Sequence, residues 1–310
     1  MKILVTGGAG FIGSHIVDAL LMHGHKVVVI DNLSTGKKEN VNRDAVFLHM
    51  DINSSQIKGV FKEHKPDVVI HHAAQVSVSY SMKNPLMDQE LNIRGTQNIL
   101  NCCIESGTGK FIYASSAAVY GMPKFLPIPE EHPIKPESFY GISKYVPEEY
   151  IRIFSKFYGL DYTILRYANV YGPRQDHLGE GGVISIFINQ ILRGETPTIF
   201  GDGEQTRDFI YVQDVVNANL AALTLGSKKT LNISTNQTTS LNNLVRIMAE
   251  LTGKDISPIY LEKRPGDILE SCLNNTSAIK ELRWAPMYPL EEGLKDTISY
   301  YLGELVDLTH

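Results

Sequence analysis

Tyr140 and Lys144 stand four residues apart in Tyr140-Gly141-Ile142-Ser143-Lys144. On a helix, residues at this spacing share a face. An ammonium near a phenol stabilises the phenolate and lowers its pKa towards working pH, which suits Tyr140 to take a proton from a hydroxyl. Upstream, Ser115-Ser116-Ala117-Ala118-Val119-Tyr120-Gly121 closes the apolar run Phe111-Ile112-Tyr113. A small hydroxyl residue at the carboxyl end of a sheet strand lies in the crevice where ligands bind, and there it can share a hydrogen bond with a reacting hydroxyl. Taken singly, a Tyr/Lys pair is common on solvated helix faces and a terminal Ser is an ordinary cap. Their combination gives the functional reading its weight.

A second constellation opens the chain. Gly7, Gly10 and Gly13 follow the apolar run Ile3-Leu4-Val5 and precede a helical pattern over 11–22. Glycines so placed permit a tight turn, close approach of backbone to a pyrophosphate, and close helix–strand packing. The helix N-terminus adds free N–H groups and a favourable dipole. The next apolar run, Val27 to Ile30, ends in Asp31. A carboxylate there can accept both adenosine ribose hydroxyls and repels a 2′-phosphate. An ordinary βα turn also uses glycines and Asp31 could be a simple cap, but the complete strand–glycine–helix–strand–Asp order points to NAD. No arginine follows immediately to favour NADP.

These residues need a frame. Apolar, β-branched runs at 3–5, 27–30, 46–48, 67–70, 110–113 and 162–165 alternate with helical patterns at 11–22, 54–63, 85–105 and 138–158. Such alternation predicts an α/β fold, a doubly wound parallel (Rossmann) sheet covered on both faces. After about residue 165 the pattern changes, with helices expected at 183–192, 212–225, 240–251 and 290–302. We expect an NAD-binding Rossmann domain over 1–166 and a smaller α/β substrate domain over 167–310, with later segments returning to the large sheet. Pro147 falls inside the helix of Tyr140 and Lys144, where it removes one backbone donor and should bend the chain beyond Lys144.

Composition narrows the possibilities. A net charge of −5 gives no reason to expect nucleic acid or an anionic membrane as partner. No stretch reaches the ~18 apolar residues that span a bilayer. Three cysteines, two of them adjacent, make neither a disulfide framework nor a metal cluster, so no metal and a cytoplasmic, reducing setting are expected.

Several motifs then carry a resemblance: TGGAGFIGSH, DNLSTG from Asp31, HHAAQ from His71, NIRGT from Asn92, SSAAVYG, YGISK and RYANVYGPRQ. The chain resembles the extended short-chain dehydrogenase/reductase family over essentially its whole length, most closely the members that epimerise UDP-hexoses. The resemblance implies Tyr140 as base, Lys144 as the nicotinamide-ribose lysine and Ser116 as partner of the substrate hydroxyl. It implies NAD contacts from Phe11, Ile12, Asn32, Ser34, Gly36, Asp51, Ile52, Ala73, Ala74, Gln75, Asn92, Ser115 and Tyr167, beside the glycines and Asp31. For a UDP-sugar it implies Asn169, Val183, Phe200, Arg207, Arg264, Asp267 and Ser271. Cationic forks suit phosphate and carboxylates suit ribose hydroxyls.

Ala117 and Ala118 stand where dehydratases of this family carry an Asp-Glu pair and decarboxylases a Glu at the second position. Elimination needs that additional acid/base group, whereas 4-epimerisation does not. The expected activity is therefore NAD-dependent 4-epimerisation of UDP-hexoses: UDP-glucose/UDP-galactose, and N-acetylhexosamines too if Ser271, small where a bulky Tyr can stand, widens the pocket. The alternatives are a UDP-glucuronate 4-epimerase, another nucleotide-sugar oxidoreductase, and a non-catalytic NAD-sensing protein. The last typically lacks the Tyr or Lys. The resemblance also implies a homodimer through the helices around 85–105 and 140–158.

Overall fold

The structure, a computed structural model, describes residues 1–176, 182–263 and 268–307. The strands are β1 (Lys2–Thr6), β2 (Lys26–Asp31), β3 (Val46–His49), β4 (Val68–His71), β5 (Lys110–Ser116), β6 (Asp161–Tyr167), β7 (Asn169–Tyr171), β8 (Thr198–Phe200), β9 (Thr206–Arg207), β10 (Phe209–Tyr211), β11 (Lys229–Ile233), β12 (Thr239–Ser240) and β13 (Ile259–Leu261). The helices are α1 (Phe11–Met22), α2 (Ile57–His64), α3 (Val78–Lys83), α4 (Pro85–Gln89), α5 (Gly95–Ser106), α6 (Phe139–Tyr158), α7 (Val183–Leu192), α8 (Val212–Ala222), α9 (Leu241–Thr252), α10 (Thr276–Leu282) and α11 (Leu290–Asp307).

A seven-stranded sheet runs in the order β11-β6-β5-β4-β1-β2-β3, and every pair in it is parallel. Alternate residues of β1 explain the layering. Ile3 and Val5 face one apolar layer with α1 and α8, while Leu4 faces the other with α2, α5 and α6. The strand order reverses between β1 and β4, and that reversal opens a crevice at the carboxyl ends of the strands. The seventh strand, β11, lies far along the chain and pairs with β6 from Lys229↔Thr163 to Ile233↔Tyr167.

A separate apolar core joins Tyr171, Phe187, Ile199, Leu244, Leu294 and Tyr301, and around it lie three two-stranded sheets, β10-β7, β12-β9 and β13-β8. Among the described residues no helix is long and apolar enough to cross a membrane.

Local chemistry sets the elements around the site. Ser138 caps α6 by accepting from Gly141 N–H at 3.0 Å. Pro147 sits inside α6, which continues unbroken to Tyr158, where Gly159 ends it in the left-handed region. The expected helix over 85–105 forms as one run, α4 into α5, through a π-helical stretch at Glu90–Arg94. The helix read from Ser54 begins instead at Ile57, because Ser54 and Asp51 close tight turns before it.

Candidate active site

A single cleft of about 470 Å³ follows the carboxyl ends of the strands. Of the residues singled out from sequence, Gly7, Gly10, Phe11, Ile12, Gly13, Asp31, Asn32, Ser34, Gly36, Asp51, Ile52, Ala73 and Ala74 line its first half. Ser115, Ser116, Tyr140, Lys144, Tyr167, Asn169 and Val183 line the remainder.

The glycine loop shows why its residues are glycine. Gly7 has φ +70° and lies so close to the next strand end that a Cβ would stand 2.6 Å from the Ala73 nitrogen. At Gly13 a Cβ would stand 2.1 Å from the Gly7 carbonyl oxygen, so α1 can seat against β1 only without a side chain there. Gly10 differs: its added Cβ would meet only the Gly7 carbonyl, at 3.2 Å, and otherwise enter open space. Gly10 begins α1 without a side-chain cap, and the first turn behind it lines the cleft. This cradle, with the Asp31 carboxylate at the tip of β2, fits a dinucleotide. Asp31 is buried and accepts from Ala9 N–H at 3.0 Å and Leu33 N–H at 2.8 Å, so it also ties the glycine loop to the β2 turn. Asp51 is braced by the Asn32 amide at 2.8 Å.

The reacting end is built by β5 and α6. Ser116 ends β5, and its hydroxyl accepts from Ala118 N–H at 3.2 Å, which folds Ala117–Val119 into a 3-10 turn. Tyr140 lies in the first turn of α6, where Ser81 accepts its N–H at 3.0 Å. Burial raises the Tyr140 pKa, the Ser116 hydroxyl opposes that rise, and the Asp88 charge adds to it. The expected lowering by Lys144 is not among these influences. The Lys144 ammonium instead lies over the Tyr113 ring, 4.7 Å from its centroid, and burial takes its own pKa down to about 8. Both groups share a helix face, as the spacing requires, and for each the largest influence is desolvation by burial.

Two cofactor-side candidates, Gln75 and Asn92, lie behind the cleft rather than on it. Asn92 accepts Gln75 N–H at 2.8 Å and donates to Gln75 O at 3.0 Å and to Ser143 Oγ at 2.9 Å. Gln75 donates to Asp88 Oδ1 at 2.7 Å. They brace the loop after β4.

Sequence reasoning missed several residues here. His72 lines the cleft and stacks on Tyr167, with its pKa lowered to about 3 by burial and by Lys144. Arg174 lines it too, paired with Asp18 of α1 at 2.8 Å. Behind Ser115 lies a fully buried carboxylate, Glu148, which accepts from Ser115 Oγ at 2.6 Å. Arg166 grips it at 2.9 and 2.6 Å, and Arg152 adds a bond at 3.0 Å. One signal was available: Glu148 follows Lys144 by four residues, on the same inward helix face.

The substrate-side candidates divide. Asn169 and Val183 line the cleft. Phe200, Arg207 and Ser271 do not, but two of them are tied to the segment just before Arg207: Gln205 Nε2 donates to Phe200 O at 2.6 Å, and Ser271 N–H donates to Thr206 O at 3.3 Å. Asp208 anchors this region. It is buried and accepts from Thr235 N–H and hydroxyl and from the N–H groups of Asn236 and Leu273, at 2.7 to 3.3 Å. Burial raises its pKa to about 6. Arg264 and Asp267 fall outside the described residues. Among the described residues no group of His, Cys, Asp and Glu could hold a metal ion.

A model of the NAD dependent epimerase/dehydratase family matches residues 3–234. The chain belongs to that family. Solved structures match nearly the full length of this epimerase/dehydratase chain. A Thermotoga maritima UDP-glucose 4-epimerase, solved with UDP-glucose, is 48% identical with a TM-score of 0.97, covering 98% of this chain and 100% of that one. A UDP-N-acetylglucosamine 4-epimerase of Methanobrevibacter ruminantium, solved with UDP-N-acetylmuramic acid, is 38% identical with a TM-score of 0.94, covering 98% of each chain. The UDP-glucose 4-epimerase of Mycolicibacterium smegmatis is 40% identical over 308 residues, 97% of this chain and 98% of that one.

Proposed function

We propose that this chain interconverts the C4 epimers of UDP-hexoses, UDP-glucose and UDP-galactose first, with NAD retained between turnovers. The observation that carries the reading is the Ser116 hydroxyl against the Tyr140 phenol, beside buried Lys144, in the same cleft as the glycine cradle and Asp31. The Gly7–Gly13 loop would hold the pyrophosphate of NAD, Asp31 its adenosine ribose and Lys144 its second ribose. Bound NAD supplies a hydride acceptor that becomes the donor on return. Tyr140 takes the proton of the C4 hydroxyl and later gives it back, while Ser116 orients that hydroxyl. The resulting 4-keto sugar turns about its diphosphate linkage and offers its other face. Ala117 and Ala118 provide no acid or base, which supports reversible oxidation over elimination.

Residues 1–166 serve the cofactor in this reading and 167–310 the UDP-sugar, with Asn169, Val183, Phe200, Arg207, Arg264, Asp267 and Ser271 as its contacts. The chain works as a homodimer through α4 and α6. Leu86 and Met87 on α4 are 80% and 50% exposed, and Ile153 and Phe157 on α6 are 51% and 68% exposed, which supports a buried face in an assembly.

Purified protein incubated with UDP-glucose and no added NAD should yield UDP-galactose, resolved by chromatography. Stoichiometric NADH release without interconversion would refute the cycle, and activity confined to UDP-glucuronate would reassign the substrate. Ser271 extends the reading to UDP-N-acetylhexosamines. Replacing it, Ser271→Tyr, should depress turnover of UDP-GlcNAc at least tenfold more than that of UDP-glucose, about 1.4 kcal/mol of discrimination. Equal effects on both sugars would remove Ser271 from the specificity argument.

A further inference from the structure

We propose that Asp88 is a positioning residue of the active site, whose uncompensated carboxylate keeps Lys144 an ammonium in a buried setting. The inference rests on the reading of Lys144 given above.

Asp88 lies on α4, which packs against α6, and is 1% exposed. Its neighbours leave its charge unanswered. Gln75 Nε2 and Asn92 Nδ2 both donate to one carboxylate oxygen, Oδ1, at 2.7 and 3.2 Å. Both donors are neutral amides. Among the described residues Asp88 makes no ion pair, and neither does Lys144. The groups that act on Lys144 from every side can be sorted. His71 ends β4 and His72 follows it, and burial together with the ammonium lowers both, so they are neutral. Tyr113 on β5 is raised well up by burial and stays neutral, and burial raises Tyr140 on α6 while the Ser116 hydroxyl opposes it. The carboxylates are Asp88 and Glu148, and both oppose the loss of the Lys144 proton. Glu148 is already matched, because Arg166 and Arg152 hold it in direct ion pairs. That leaves Asp88 as the negative charge not shared with a guanidinium.

The shared oxygen makes the idea separable from a structural role. Asparagine at this position keeps Oδ1, and so keeps both amide bonds, while it removes the charge. A scaffold role predicts that Asp88→Asn changes nothing. The electrostatic role predicts that Lys144 loses its proton more readily. Asn92 Nδ2, which donates to Asp88, also donates at 2.9 Å to the Oγ of Ser143, the residue before Lys144, so the carboxylate lies close to the ammonium's own turn of α6. Removing an opposite charge so placed should move the titration down by on the order of one pH unit.

Two measurements on the NAD-loaded enzyme test this. The first is kcat and KM against pH for wild type and Asp88→Asn. The alkaline limb of kcat should move about one unit lower, with KM at pH 7 changed less than twofold. The second is a carbon-13 titration of lysine-labelled protein, the Lys144 signal being assigned by its loss in Lys144→Met. That signal should move with the kinetic limb. A superimposable profile and an unshifted signal in Asp88→Asn would overturn the proposal. If the asparagine variant does not fold, Asp88→Glu decides: it keeps the charge while disturbing the amide bonds, so the Lys144 titration should stay at its wild-type position, and a downward shift would overturn the proposal. Wild type inactive on every UDP-sugar would instead refute the epimerase reading, which is a separate outcome.

Discussion

Two carboxylates are buried in the molecule, one behind the cleft and one among the segments that carry Arg207 and Ser271, and they are satisfied differently. Glu148, behind Ser115, is fully buried and gripped by Arg166 and Arg152 in a sheet-and-helix frame. Asp208, beneath the substrate-side loops, takes backbone N–H groups and a hydroxyl, and burial raises its pKa to about 6. The first arrangement fixes Ser115, the neighbour of the cleft-lining Ser116. The second ties three separate loops together through one group that can change its charge near neutral pH. The first carboxylate is held by guanidinium groups, and the second is held by backbone and hydroxyl donors.

The largest effect should come on the side of the first carboxylate. Tyr140→Phe removes the proton carrier and should lower kcat roughly 10²–10⁴-fold, while the bound NAD released by acid denaturation stays near wild type. Loss of NAD in that variant would mean that Tyr140 holds the cofactor and does not act as base. Next comes Arg166→Met, which strands Glu148 without its main partner. A buried charge so exposed costs about 3–5 kcal/mol, to be read from urea or thermal unfolding. A loss below 1 kcal/mol would erase the contrast between the two carboxylates.

The smallest effect concerns Asp208. Its folded pKa is raised from the usual 3.8 to about 6, so the folded chain takes up this proton before the unfolded chain does. The associated stability is fully present below pH 3.8 and is lost as pH rises through about 6. Compared with Asp208→Asn, wild type should therefore gain on the order of 2 kcal/mol as pH falls from 7 to 4, measured as the difference in unfolding free energy. A difference flat with pH would show that Asp208 does not change its charge in this range.

Much of the frame was legible because its causes are local. Gly7, Gly10 and Gly13, the β-branched strands and the Ser138 cap act through near neighbours, so their spacing announces them. Tyr140 and Lys144 were legible as a pair, yet their electrostatics were not. Phenol and ammonium would tune each other in a half-solvated site, but burial dominates here and only packing determines burial. Asp88, Glu148, His72 and Arg174 were missed for the same reason. A lone charged residue gives no sign in sequence of whether it will face water or an arginine from a distant strand. On the substrate side, Phe200, Arg207 and Ser271 come from separate segments, joined through Gln205 and Thr206, and no periodicity links them.

The pairing of β11 with β6 has a consequence for how the chain is made. Until residue 233 has been synthesised, β6 presents a bare edge of N–H and C=O groups along Thr163–Tyr167. A nascent chain carrying only the cofactor cradle therefore displays a sticky strand, and it depends on a segment arriving from beyond α8 to seal it. Splitting the gene product near residue 167 should give an insoluble first fragment, which its complement rescues only when the two are expressed together.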